Sequence, residues 1–354
     1  MSRVHDPRSI DRSMTRLIAL VLFCLLAWGT QADARSFTDA GGRTVEIPDK
    51  ITHAWPAGPP AESLIYILAP EKLAGWTHRI SPESASFMIN NYGALPVIGR
   101  LTGRGNTANL EAVIAAKPDL VLDVGTVGPT YVSLADRVQE QTHIPYVLIG
   151  GSLLDTPKLL RTAGNVLGVS ARAETLARYT EEALIDLQKR IATVPAAERP
   201  KAYMARGPRG HETDVRGSIN AEALEILGAQ NVVAPGTSAG NLADVSLEQV
   251  LAWQPDVIVT INRDFMSSVM ADPAWQGVKA VKDKHVYLEP LYPFGWVDEP
   301  PGVNRVIGIR WLAKLLYPRL FPEDLRAETK RFYELFYQQA PTDAQLDQLL
   351  GKAG

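Results

Sequence analysis

Asn109-Leu110-Glu111-Ala112-Val113-Ile114-Ala115-Ala116-Lys117-Pro118-Asp119-Leu120-Val121-Leu122 recurs as Ser246-Leu247-Glu248-Gln249-Val250-Leu251-Ala252-Trp253-Gln254-Pro255-Asp256-Val257-Ile258-Val259, 137 residues further along and without a gap. In both copies a capping side chain, Asn109 or Ser246, opens a short helix. Pro-Asp ends it, and an unbroken apolar run follows that reads as a buried strand. A spacing this long is outside the range of solenoid and propeller repeats, so it predicts two domain-sized halves facing one another across a cleft.

The chain has 354 residues, nearly half of them apolar, enough for two cores of ordinary domain size. Arg3, Arg8, Arg12 and Arg16 precede the apolar run Leu17 to Trp28, and Ala32-Asp33-Ala34 supplies an A-x-A site. Residues 1–34 therefore read as an export signal, with the mature chain starting at Arg35. The apolar run is short for a membrane span, and nothing later resembles one. The single cysteine, Cys24, falls inside that segment, and Phe23 before it is not the small residue a lipoprotein cleavage site needs. A mature chain without cysteine has no disulfide, thiolate metal site or cysteine nucleophile. Cleavage would remove four Arg and three Asp, moving the formal charge from -3 to -4. Such an acidic chain is a poor nucleic-acid binder.

Residues 37–48 read as a hairpin turning at Gly41-Gly42, and Ile51 to Trp55 as the first core strand. Helix near Ala61 to Leu68, strand near Ala74, the repeated unit, helix Tyr131 to Gln141 and strand Ile144 to Ile149 then alternate, as in a parallel sheet covered by helices. A helix from Thr156 to Leu167 stops at Gly168. Ser170 to Ile191 follows as one run with apolar Leu176, Tyr179, Leu184, Leu187 and Ile191, long enough at about 33 Å to join two lobes. Ala202 to Ala205 opens the second half. A helix Ala221 to Leu227, Asn231-Val232-Val233, the second copy of the unit, a strand His285 to Leu288, and helices Val303 to Leu316, Asp324 to Tyr337 and Thr342 to Leu350 complete it.

These residues resemble the periplasmic substrate-binding proteins of ABC importers for iron siderophores, haem and cobalamin, the class whose lobes are joined by one long helix. The likeness runs from Asp39-Ala40-Gly41-Gly42-Arg43-Thr44-Val45-Glu46-Ile47-Pro48, through both Leu-Glu helices, to residues 275–287. It implies an α/β protein of two Rossmann-like lobes, residues 35–168 and 200–354, joined by a linker helix within 169–199. It also implies a monomeric periplasmic binder without intrinsic cofactor, which hands a small anionic metal chelate to a permease dimer and does no chemistry on it. A ferric siderophore is the first expectation; haem, a corrinoid, a nickel chelate or a molybdate or tungstate oxyanion are alternatives. In this class Glu111 and Glu248, matched on the first turns of the repeated helices, would dock on the permease.

Ligands of open parallel sheets bind beyond the carboxyl ends of the strands. Here those positions are Pro56-Ala57-Gly58-Pro59, Trp76-Thr77-His78-Arg79, Gly125-Thr126-Val127, Arg206-Gly207-Pro208-Arg209-Gly210-His211, Asn262-Arg263-Asp264 and Tyr292-Pro293-Phe294-Gly295-Trp296. Guanidinium groups would pair with carboxylate or catecholate oxygens, and Trp faces would stack on rings. The candidate contacts are Ala57, Gly58, Trp76, His78, Arg79, Arg206, Arg209, His211, Arg263 and Trp296. Any single Arg could equally solvate its own loop, and either Trp could be core, Trp296 being the better binder because Gly and Pro neighbours suggest an exposed loop. No two histidines have metal-ligand spacing. His53, His143 and His285, beside strands, read as structural, and Trp275 as helix packing.

A serine hydrolase is the rival reading. Gly236-Thr237-Ser238-Ala239-Gly240 matches G-x-S-x-G, with Asp264 and His285 following in triad order. The context opposes it, because Ala234-Pro235 rather than a strand leads in and no helix starts before Ser246.

Overall fold

The computed structural model describes residues 34–103, 105, 107–238 and 240–351. Residues 1–33 of the expected export signal, Cys24 among them, lie outside the described residues. The chain opens with an antiparallel hairpin, β1 (Ala34–Thr38) and β2 (Thr44–Pro48), turning at Gly41-Gly42 as expected. The first lobe then takes β3 (Ala54–Pro56), α1 (Pro59–Leu68), α2 (Leu110–Ala116), β4 (Leu120–Gly125), α3 (Pro129–Thr142) and β5 (Tyr146–Gly150), with β3-β4-β5 as a parallel sheet. Two helices follow without a strand between them, α4 (Thr156–Leu167) and α5 (Ser170–Ile191), as the sequence predicts. The second lobe holds β6 (Lys201–Ala205), β7 (Glu212–Asp214), β8 (Gln230–Asn231), β9 (Leu242–Asp244), α6 (Leu247–Trp253), β10 (Val257–Thr260), α7 (Arg263–Val269) and β11 (Val286–Leu288). Its parallel sheet has the order β11-β10-β6-β8, and β7 pairs with β9 antiparallel. Helices α8 (Arg305–Leu316), α9 (Leu325–Phe336) and α10 (Asp343–Leu350) close the chain.

The duplicated unit has the same local structure twice. Asn109 accepts the Ala112 N–H at 2.8 Å, and Ser246 accepts that of Gln249 at 3.3 Å within a capping box. Helices α2 and α6 end in left-handed residues, Lys117 at φ 46° and Gln254 at φ 47°. The Asp after each Pro does more than stop a helix. Asp119 takes the N–H groups of Thr52 and His53 on its side chain and donates its own to the His53 carbonyl; Asp256 does the same with Lys201. Each Asp thereby ties its strand to the start of the neighbouring one. This is why the first core strand begins at Ala54 and not Ile51: the Asp119 carboxylate holds the N–H groups of residues 52 and 53. The strand expected near Ala74 is reduced to a single bridge between Ala54 and Leu73.

The linker α5 buries Ala173, Leu176, Leu184, Leu187 and Ile191, each Leu or Ile contributing about 1.5–3 kcal/mol of apolar burial. Because that stripe touches both lobes, one apolar cluster runs from Ile51 and Leu64 through the linker to Phe332 and Leu349, where two separate cores were expected. Two smaller clusters fill the outer sides of the lobes. Helix α9 returns across the first lobe: Tyr337 lies 6.4 Å from Tyr66, and Phe294 lies 6.0 Å from Tyr66 and 6.1 Å from Trp76, ring centre to centre. Among the described residues no helix is long and apolar enough to cross a membrane.

Candidate ligand-binding cleft

A cleft of about 950 Å³ lies between the lobes, at the carboxyl ends of the strands. On the first-lobe side two helix N-termini face it, through Pro59 and Pro60 of α1 and through Thr126 and Tyr131 around the start of α3. Both helices begin after a glycine, Gly58 or Gly128, without a side-chain cap; α1 opens on Pro59-Pro60, which have no N–H, so it brings the positive end of its dipole to the cavity rather than free N–H groups. Gly58 itself sits behind the wall. A Cβ there would come within 2.7 Å of Thr102 Oγ1, a hydroxyl that donates to Asp123 at 3.2 Å.

Asp123, near the end of β4, forms part of the floor and also accepts from the Tyr146 hydroxyl at 2.9 Å. Burial pushes its carboxyl above the usual carboxylate range, against the pull of those hydrogen bonds. His78 stands on the same wall. Beneath it, Glu62 of α1 is fully buried, accepts the Thr77 N–H at 2.5 Å and lies 3.0 Å from His78 Nδ1. That carboxylate raises His78 above the ordinary histidine value, outweighing desolvation. Arg100 completes this side, its Nε donating to the Gly105 carbonyl at 3.2 Å.

The second-lobe wall is arranged differently. Arg206 follows β6 and lines the cleft, yet it is only 7% exposed, its Nε donates to Asp214 at 2.5 Å, and its other end faces Asp298. Asp298 also accepts from Asn220 at 2.7 Å. Behind them Glu289 accepts the N–H groups of Val297 and Asp298, and burial pushes it up to about 8; Asp214 is pushed up to about 6 by burial, although Arg206 opposes the shift. Glu299 stands at the rim of the cleft.

Of the residues expected from the sequence, His78 and Arg206 reach the cleft, as do the loops at Gly125-Thr126 and Tyr292 to Gly295. Arg263 reaches it through Tyr292, donating to the hydroxyl at 2.7 Å with its guanidinium 5.3 Å from the ring centre. The others stand elsewhere. Ala57 is buried and extends the sheet by donating to the Leu122 carbonyl. Arg79 and Arg209 are exposed outside the cleft wall, and His211 lies beside Trp275, ring centres 6.2 Å apart. Both tryptophans are fully buried, Trp76 donating to the Tyr92 carbonyl at 2.8 Å and Trp296 to the Tyr333 hydroxyl at 3.1 Å. Trp296 is therefore core, contrary to expectation, because α9 covers its loop.

Sequence reasoning missed Arg100, Thr102, Asp123, Tyr131, Asn220, Asp298 and Glu299. Asp123 carried a usable signal, a lone charge inside the apolar run Leu120-Val121-Leu122-Asp123-Val124. Ser238 lies in a loop, accepting the Gly240 N–H at 3.2 Å, with no strand running into it; Asp264 and His285 are exposed. A nucleophile elbow is not formed. Among the described residues no three His, Cys, Asp or Glu side chains are grouped to hold a metal ion.

The family model described as periplasmic binding protein matches residues 96–291. The molybdate-binding protein MolA of Haemophilus influenzae is 29% identical over 91% of this chain and 97% of its own length. The solved structure of MolA with bound molybdate superposes with a TM-score of 0.72 at 26% identity, over 87% of this chain and 99% of that one. An ABC transporter solute-binding protein from Sulfurospirillum deleyianum superposes with a TM-score of 0.82 at 30% identity, over 89% of this chain and 99% of that one.

Proposed function

The chain belongs to the periplasmic binding protein family, the substrate-binding components of ABC importers, and on that premise we propose that its ligand is a small metal oxyanion of the molybdate class. It binds its cargo and does not convert it. The observation that carries the ligand reading is the first-lobe wall, where Arg100, the Glu62-supported His78 and the positive dipole ends of two helices line one cavity. Such a wall suits a compact anion. The two tryptophans on which a flat siderophore would have stacked are buried, and the full-length likeness to MolA points the same way.

A ferric siderophore remains the second reading, favoured by size. At roughly 30 Å³ per water the cleft would hold about thirty waters, far more than a four-oxygen anion displaces. Titration calorimetry with sodium molybdate, sodium tungstate and a ferric hydroxamate chelate tests both. Saturable binding of molybdate or tungstate, one per chain, is expected. Binding of the chelate alone overturns the oxyanion in favour of the siderophore.

The remaining features form one reading. Residues 1–34 direct export, residues 35–168 and 200–354 form the lobes about a linker within 169–199, and the exported monomer meets a permease dimer through Glu111 and Glu248. Both glutamates are exposed in the first turns of α2 and α6, one per lobe. Glu248 also serves its own helix, since the Ser246 hydroxyl and its own N–H hold its carboxyl below the usual range. Charge reversal at both, Glu111→Lys with Glu248→Lys, is expected to leave ligand affinity intact while import fails. Normal import by the double variant would confine them to helix capping.

A further inference from the structure

Behind the cleft, an ion pair of the second lobe, with its arginine buried, holds a loop of the first. Arg305, the first residue of α8, is 1% exposed. Its Nη1 donates to the Ile219 carbonyl at 2.9 Å and to Glu222 Oε2 at 3.0 Å, both in the second lobe. Its Nη2 donates to the Gly151 carbonyl at 2.7 Å, in the loop that leaves β5 of the first lobe. Glu222 reaches the same loop, accepting the Leu153 N–H at 2.8 Å. Two side chains of one lobe thus grip three consecutive residues of the other, through a carbonyl at one end and an N–H at the other.

The grip adjoins the ligand site. Gly151 donates to the Gly125 carbonyl at 2.9 Å, and Gly125 and Ile219 both line the cleft. The approach needs glycine at two positions: Gly125 adopts φ +147°, and a Cβ on Gly151 would lie 2.7 Å from Gly125 Cα.

We propose that Arg305 and Glu222 are positioning residues for ligand capture, a fixed pivot at the back of the cleft that sets the angle between its walls. Arg172 of α5, which donates to the Ile67 carbonyl and to the Leu335 and Phe336 carbonyls, and Gln345, which donates to the Ser86 carbonyl, hold α9 and α10 to the first lobe, and the apolar stripe of α5 and the aromatic rings around Tyr66 and Phe294 tolerate sliding. Hydrogen bonds from a guanidinium do not. A lobe rotation about any axis remote from the pair would stretch the two contacts that cross between the lobes, of 2.7 and 2.8 Å, past bonding distance and leave the buried Arg305 Nη2 without its acceptor. Motion that opens or closes the front of the cleft therefore turns about this point.

Spin labels test it, since Cys24 is the only native cysteine. With Cys24→Ser, and labels at Glu140→Cys on α3 and Lys282→Cys in the second lobe, both exposed positions, pulsed dipolar spectroscopy reads the distance between lobes. No ligand is added, so the result is independent of what the cleft binds. A narrow distribution is expected for the parent, and a broad or displaced one for Arg305→Gln and Glu222→Gln in protein whose circular dichroism shows it folded. A folded variant with lowered Tm and the parent's distribution would show that the pair only stabilises, and the pivot would be wrong. Should Arg305→Gln not fold, Glu222→Gln decides, because that carboxylate is already 29% exposed.

Discussion

The two walls of the cleft use the same kinds of side chain to opposite effect. On the first-lobe wall, Arg100 bonds a loop carbonyl and His78 has one supporting carboxylate, with two helix N-termini beside them. On the second-lobe wall, Arg206 is held between Asp214 and Asp298, and Glu289 lies behind in a setting that keeps it protonated up to about 8. One wall can direct positive charge at a ligand; the other neutralises its cation before a ligand arrives. An Arg after a strand therefore says little about binding until its carboxylate partners are known, and those partners come from residues 8 and 92 positions further along the chain.

Replacing Arg206 by Ala gives the largest expected effect and strikes at this contrast. It leaves Asp214 and Asp298 buried without their cation, which costs about 3–5 kcal/mol of stability. Denaturant unfolding should show that loss. An Arg206→Ala protein that keeps its midpoint but no longer binds molybdate would make Arg206 a ligand anchor and erase the difference between the walls. Arg100→Ala should do the reverse. It removes a charged donor from the ligand and weakens molybdate binding by about 1.5–3 kcal/mol in calorimetry. Its unfolding midpoint should stay close to the parent's, as for most surface changes. A large stability loss with unchanged affinity would show Arg100 to be structural.

The same contrast explains what the sequence made legible. Periodicity and punctuation fixed α4 and α5 to the residue, because Gly168 and the apolar stripe from Leu176 to Ile191 are local signals. The repeated helix and strand were equally legible, down to the capping side chains. What escaped was long-range. Nothing near Trp296 announces that α9, some thirty residues on, covers it, and nothing near Asp119 shows that its carboxylate holds residues 52 and 53 at the start of β3. Arg100 lies in an unpatterned loop, whereas Arg79 and Arg209, both expected after strands, are exposed outside the cleft wall. Chain position located the loops of the site; the partners of each side chain decided which of them face the ligand.

The smallest effect concerns His78 and pH. Glu62 raises its pKa above the ordinary 6.5 or so, with Glu299 adding to the shift and desolvation and Arg100 opposing it. A raised histidine is charged in the folded protein below that value, so its contribution to stability is complete below about pH 6.5 and is lost as pH rises through the elevated folded value. Attraction for an anion follows the same course, since only the charged ring supplies it. Molybdate affinity should then decline as pH climbs through neutrality, by a small factor because the His78 side chain is 53% exposed and water screens the pair. In the His78→Gln variant this part of the decline should vanish, and in Glu62→Gln it should move to lower pH, where an unsupported histidine titrates. Calorimetric titrations between pH 5.5 and 9, in buffers of equal ionic strength, measure it. Parallel pH curves for the parent and His78→Gln would show that the ring does not touch the anion, leaving Arg100 and the helix N-termini as the whole of the first-lobe grip.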